Sequence, residues 1–150
     1  MVARIDDRTT AHNAIRADRC PPMTTYKHVN YTEIEPVSGA MHQLREHLES
    51  DRVGVTVAPC EPGWKSQPHD HRRNGHEEIY VLIEGEATVV VENEPVAMES
   101  GDAIRIPPSA TRQIRNGDVR STFVLVSAPE CHRPIEDGRS DSWVLEGFQG

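Results

Sequence analysis

Val53, Val55 and Val57 alternate with Gly54, Thr56 and Ala58. An alternation of period two puts one set of side chains on each face of an extended strand. Short runs rich in branched residues follow at residues 79–83, 87–91, 103–106, 112–114 and 122–126. Turn-forming clusters separate them: Glu84-Gly85-Glu86, Asn93-Glu94-Pro95, Ser100-Gly101-Asp102, Pro107-Pro108-Ser109 and Asn116-Gly117-Asp118. Short strands recurring every ~8 to 12 residues, with no helical pattern between them, predict an antiparallel sandwich or barrel and exclude a parallel sheet with crossover helices.

Upstream the pattern is mixed. Met41, Leu44 and Leu48 are spaced like one face of a short helix, although a strand followed by a turn also fits. Residues 1–22 are polar, interleave arginines with aspartates and end in Pro21-Pro22. They lack the apolar residues that would hold them against a core, which predicts a disordered, mobile N-terminal tail followed by one domain over 23–150, its core at about 50–128. Met23, where the composition changes, is an alternative translation start. Trp143, Val144, Leu145 and Phe148 form a last apolar patch, placed to cover the barrel, add an edge strand or meet a second subunit.

Composition narrows the function. The 150 residues carry a formal charge of −8 with no basic cluster, which argues against a nucleic-acid partner. Three cysteines without a Cys-x-x-Cys pair argue for a reducing compartment and against a disulfide framework. No apolar run reaches the roughly 20 residues of a membrane span, so the expectation is a soluble cytoplasmic protein with no membrane partner.

Candidate chemistry gathers in residues 63–85. His69, His71 and His76 are three of the eight histidines, and Glu77 and Glu78 follow directly. On an extended strand His69 and His71 share a face and present two imidazoles to one point, as metal ligands do. His12, His28, His42, His47 and His132 have no such partner pattern and read as surface residues.

The stretch from Gly63 to Gly85 resembles the first motif of the cupin family: a glycine, five residues, His-x-His, a spacer, a glutamate, six residues and a glycine. Gly101, Pro107 and Asn116 stand where the second motif has its glycine, proline and asparagine. The resemblance implies an all-β double-stranded β-helix, the cupin jelly-roll barrel. It also implies a divalent metal (iron, manganese, nickel, copper or zinc) held by His69, His71 and Glu78 together with a histidine of the second motif. That histidine is absent: Arg112 holds its position, and Ser109 replaces the usual glycine. The spacer between His71 and Glu78 is six residues, longer than the motif's. His76 is therefore an alternative to Glu78. Glu78 is preferred, because added residues enter the loop over 72–75 more easily than they shift a strand's register. Tyr80 shares the parity of Glu78 and lines the pocket or joins the core.

Arginine stays protonated and has no lone pair, so Arg112 cannot serve as a metal ligand. Two readings follow. In the first, His69, His71 and Glu78 or His76 bind a metal that acts on a small anionic organic ligand, as in cupin oxygenases, isomerases or decarboxylases, while Arg112 meets the ligand's carboxylate or anchors an acidic neighbour. In the second there is no metal, and Arg112 pairs with Glu78 or with a small-molecule ligand. The resemblance also implies a homodimer.

Overall fold

A computed structural model of the chain describes residues 26–129. Within them a single 3-10 turn at Tyr31–Glu33 precedes β1 (His42–Gln43), α1 (Arg45–Leu48), β2 (Gly54–Cys60), β3 (His76–Glu84), β4 (Glu86–Val91), β5 (Glu94–Glu99), β6 (Ala103–Ile106), β7 (Arg112–Asn116) and β8 (Ser121–Pro129). All ladders are antiparallel. The strands make a five-stranded sheet in the order β1-β2-β8-β3-β6 and a three-stranded sheet in the order β5-β4-β7. The molecule is an all-β jelly-roll barrel, as the strand rhythm predicts. The predicted tail over 1–22 and the apolar patch at 143–148 lie outside the described residues.

The inner faces of the two sheets supply the core. Tyr80 pairs across the ladder with Leu125, and Leu82 with Phe123; these four are buried together with Ile106, Val89, Ile114 and Met98. Removing a large apolar side chain from water stabilises the fold by about 1.5–3 kcal/mol, so the facing rows hold the sheets together. Outside, Ile79, Val126 and Val55 form one row across β3, β8 and β2, and Val81, Val124 and Val57 form the next. Ile79 and Ile83 of β3 stay exposed there.

Three details refine the sequence pattern. The run at 79–83 is the later part of a strand that starts at His76 and carries Glu77 and Glu78 on opposite faces, as their parity requires. β5 was not among the expected runs; as an edge strand paired only with β4, it tolerates Pro95, which cannot donate to a ladder. The stretch around Leu44 combines both expectations, a two-residue strand and a single helical turn, which Glu49 ends in a left-handed conformation.

Gly85, between β3 and β4, has φ +81°, and a Cβ there would collide with the Arg120 carbonyl. Only glycine permits that approach. Asn116 closes the other side of the barrel: its Nδ2 group donates to the Cys60, Glu61 and Val119 carbonyls at 3.0, 2.7 and 2.9 Å, and its Oδ1 accepts from the Ser121 hydroxyl at 2.7 Å.

Candidate metal centre

Four chain segments meet at the candidate site. His69 lies beside β7, held by backbone hydrogen bonds in both directions with Arg112 at 3.1 and 2.9 Å. The His71 N–H donates to the Pro108 carbonyl at 2.9 Å. The chain then turns through residues 72–75, where Gly75 has φ +65°, and enters β3. The extra spacer residues are therefore taken up in this turn. Glu78 lies on the inward parity of β3, opposite Ile106 and Ser127.

These constraints bring His69, His71 and Glu78 together, each with one possible ligand atom within 4.8 Å of the others. His71 Nε2 is 3.3 Å from Glu78 Oε2, and His69 Nε2 is 4.0 Å from the same oxygen. His69 Nδ1 lies 3.0 Å from the Gln67 carbonyl. A carbonyl only accepts, so Nδ1 carries the proton and Nε2 presents a lone pair to the cluster. His71 Nδ1 accepts from the Asn74 Nδ2 group at 3.1 Å, which places the proton of the neutral ring on Nε2; that buried Nε2 has no hydrogen-bond partner and would give up its proton on ligating a metal. Burial lowers the pKa of His71, with Arg112 and His69 adding to the effect and Glu78 opposing it, so a neutral imidazole is favoured.

The donor set suits a divalent ion. Two donors on one metal, each about 2.0–2.2 Å from it, stand about 3.0–3.6 Å apart. The His71–Glu78 separation lies in that range, and His69 needs only a small side-chain movement. The cluster opens towards His69, whose side chain is 38 % exposed against 20 % for His71 and 12 % for Glu78.

Arg112 is completely buried. Its Nε is 3.1 Å from Glu78 Oε2, an ion pair approached off the N–H direction and so poorly aligned as a hydrogen bond. Its Nη2 donates to the Pro107 carbonyl at 3.2 Å, and its Nη1 to the His69 carbonyl at 3.5 Å. The Tyr80 hydroxyl donates to the same Glu78 Oε2 at 2.9 Å. Burial, then the negative charge and hydrogen bond of Glu78, push the Tyr80 pKa up. Tyr80 is 2 % exposed, so its hydroxyl lies within the core, turned to Glu78.

His76 lies outside the group of three, its ring centre 6.3 Å from that of His71. Glu77 points away and pairs with Arg105 at 2.7 Å. Asn74 and the Gln67 and Pro107 carbonyls are contributors that the motif did not reveal. Asn74-Gly75 reads as a turn signal and nothing more, and backbone carbonyls leave no mark in a sequence. A groove lined by Glu86, Thr88, Ala97, Glu99 and Arg115 lies on the small sheet, away from this cluster.

Residues 57–128 match the family model described as a cupin domain. Together with the two-sheet barrel, this identifies residues 57–128 as a cupin domain. A cupin protein from Bacteroides fragilis shares the fold with a TM-score of 0.62 at 22 % identity, over 79 % of this chain and 98 % of that one. A sugar phosphate isomerase of the cupin superfamily from Silicibacter pomeroyi aligns with a TM-score of 0.53 at 26 % identity, over 60 % of this chain and 59 % of that one. An uncharacterized protein from Methanocaldococcus jannaschii is 35 % identical over 60 residues, 39 % of this chain. The chain spans about half (48 %) of that curated relative.

Proposed function

We propose that this cupin binds a divalent metal through His69, His71 and Glu78 and presents it to a small anionic organic ligand. The observation that carries this reading is His71 Nε2, which is buried, without a hydrogen-bond partner and directed at Glu78 beside a second imidazole of defined tautomer. A buried N–H left unpaired is costly; a metal would take the place of that proton, which passes to Nδ1 once the Asn74 amide turns to accept it. The ion would supply Lewis acidity or redox chemistry. The chain's own residues prepare the place for it: Gln67 orients His69, Asn74 contacts His71, and Tyr80 and Arg112 hold Glu78. Arg112 serves Glu78 in this reading and does not meet the ligand, because its guanidinium is enclosed. Of the cupin reaction types, isomerisation gains weight from the likeness to the Silicibacter pomeroyi isomerase.

Elemental analysis of the purified protein tests the proposal. The expected result is about one metal ion per chain, lost on His71→Ala with the fold retained. Protein that stays metal-free when supplied in turn with iron, manganese, nickel, copper and zinc, each with and without a small chelating anion, would rule it out. One observation favours a second reading, a metal-free module that binds a small polar ligand: the Arg112 guanidinium already neutralises Glu78 at 3.1 Å.

The proposal also includes a cytoplasmic homodimer, with no nucleic-acid or membrane partner. Among the described residues no helix is long and apolar enough to cross a membrane. The exposed Ile79 and Ile83 supply apolar surface for a second copy. Sedimentation should give twice the chain mass, shifting towards the monomer on Ile79→Asp.

A further inference from the structure

Arg112 changes the electrostatics of the site as well as its ligand count. A guanidinium paired with Glu78 cancels the only negative charge that the three candidate ligands bring. A divalent ion held there keeps both of its charges, where a fourth histidine in place of Arg112 would leave a single one. The protein also offers one donor fewer, so an additional position falls to an outside ligand. Donors and negative charge are thus both short at the same point. The pairing is built in, since Arg112 is wholly buried and is also hydrogen-bonded to the backbone of residues 69 and 107.

We propose that Arg112 makes metal binding depend on an anion: the site takes its metal together with a small chelating dianion, one that supplies two oxygens and two negative charges, and holds either partner weakly alone. This rests on the metal-binding reading above and names the class of its ligand. The anion reaches the cluster from the His69 side, the most exposed of the three. Coupling of this kind is reciprocal, so the metal tightens the anion as much as the anion tightens the metal. Arg112 is a positioning and specificity-determining residue here, acting through Glu78.

The test measures the affinity of the intact protein for Mn2+ and for Zn2+ by calorimetry, alone, with oxalate and with acetate, corrected for metal–oxalate complexes free in solution. Oxalate should tighten the metal about tenfold or more, within the usual range of coupling between sites, and acetate by no more than about twofold. Arg112→His should bind metal more tightly without oxalate and lose most of the coupling. Arg112→Gln, which removes the charge without adding a ligand, should also lose coupling and serves if the histidine variant does not fold. Metal bound equally well with and without oxalate would overturn this inference and leave the metal-binding reading standing. Wild-type coupling retained in a folded Arg112 variant would overturn the role of Arg112. No metal bound under any condition would overturn both.

Discussion

Cys60 and Tyr80 show how burial sets the chemistry of single residues. The thiol of Cys60 is fully buried, and burial pushes its pKa up to about 11. In an unfolded chain the same thiol ionises near pH ~8.5. The folded state therefore holds its proton more tightly, and the associated stability is fully present below the unfolded value and lost as pH rises towards 11. Urea melts should show stability falling between about pH 8.5 and 10, with a shallower slope in Cys60→Ala. An unchanged slope would assign the loss to other groups. At Tyr80, Phe keeps the ring in the core and removes only the hydroxyl that donates to Glu78. Tyr80→Phe should cost about 1.5–3 kcal/mol, the range of a bond to a charged acceptor. A neutral result would mean that Arg112 alone holds Glu78. His69 and His71 were legible from their spacing, because alternation on extended backbone is a local rule. That Arg112 lies against Glu78 was one of two readings, since a sequence gives no distance between residues 34 positions apart.

At the level of the strands, periodicity identified most of the barrel. It missed β5, whose Pro95 and mostly exposed side chains do not alternate, because an edge strand packs only part of one face. The apolar run of β3 begins only at Ile79, and the polar His76, Glu77 and Glu78 continue the strand into the site. A polar start to an apolar strand signals a site only when another element is seen to face it. Asn116 is the second-motif residue whose role is clearest. It binds three carbonyls and one hydroxyl where β2, β7 and β8 meet. Asn116→Ala leaves buried carbonyls without donors and should lower stability by about 2–4 kcal/mol, since each unsatisfied buried group costs about 1–3 kcal/mol. Chemical denaturation checks this, and a loss below about 1 kcal/mol would mean that water replaces the amide.

For the whole molecule, the relation between metal and fold is the main question. The core that joins the sheets, from Leu82 and Phe123 to Val89 and Ile114, is independent of the candidate ligands. Arg112 also ties β7 to β3 with no metal present. Chelation should therefore leave the far-ultraviolet spectrum of strands intact. A metal at about 100 times its Kd adds about 2.7 kcal/mol to the stability of a folded state that alone binds it, a rise in Tm of about 5–10 °C for a domain of this size. Cooperative unfolding on addition of EDTA would show instead that the metal holds the barrel together.

The sequence by itself determined the barrel class, the position of the motif glycines and the two histidines, because these follow from local rules of alternation, turn chemistry and spacing. It also showed that the second-motif position is an arginine, which no folding can turn into a metal ligand. Only the tertiary structure decided that Glu78, and not His76, joins the two imidazoles, and that the guanidinium of Arg112 is enclosed behind Glu78 with its face away from solvent. Those outcomes depend on how the turn at 72–75 absorbs its extra residues and on how β3 and β7 are brought together across the barrel. Contacts between segments far apart in the chain arise from packing, and packing is settled by the whole core at once.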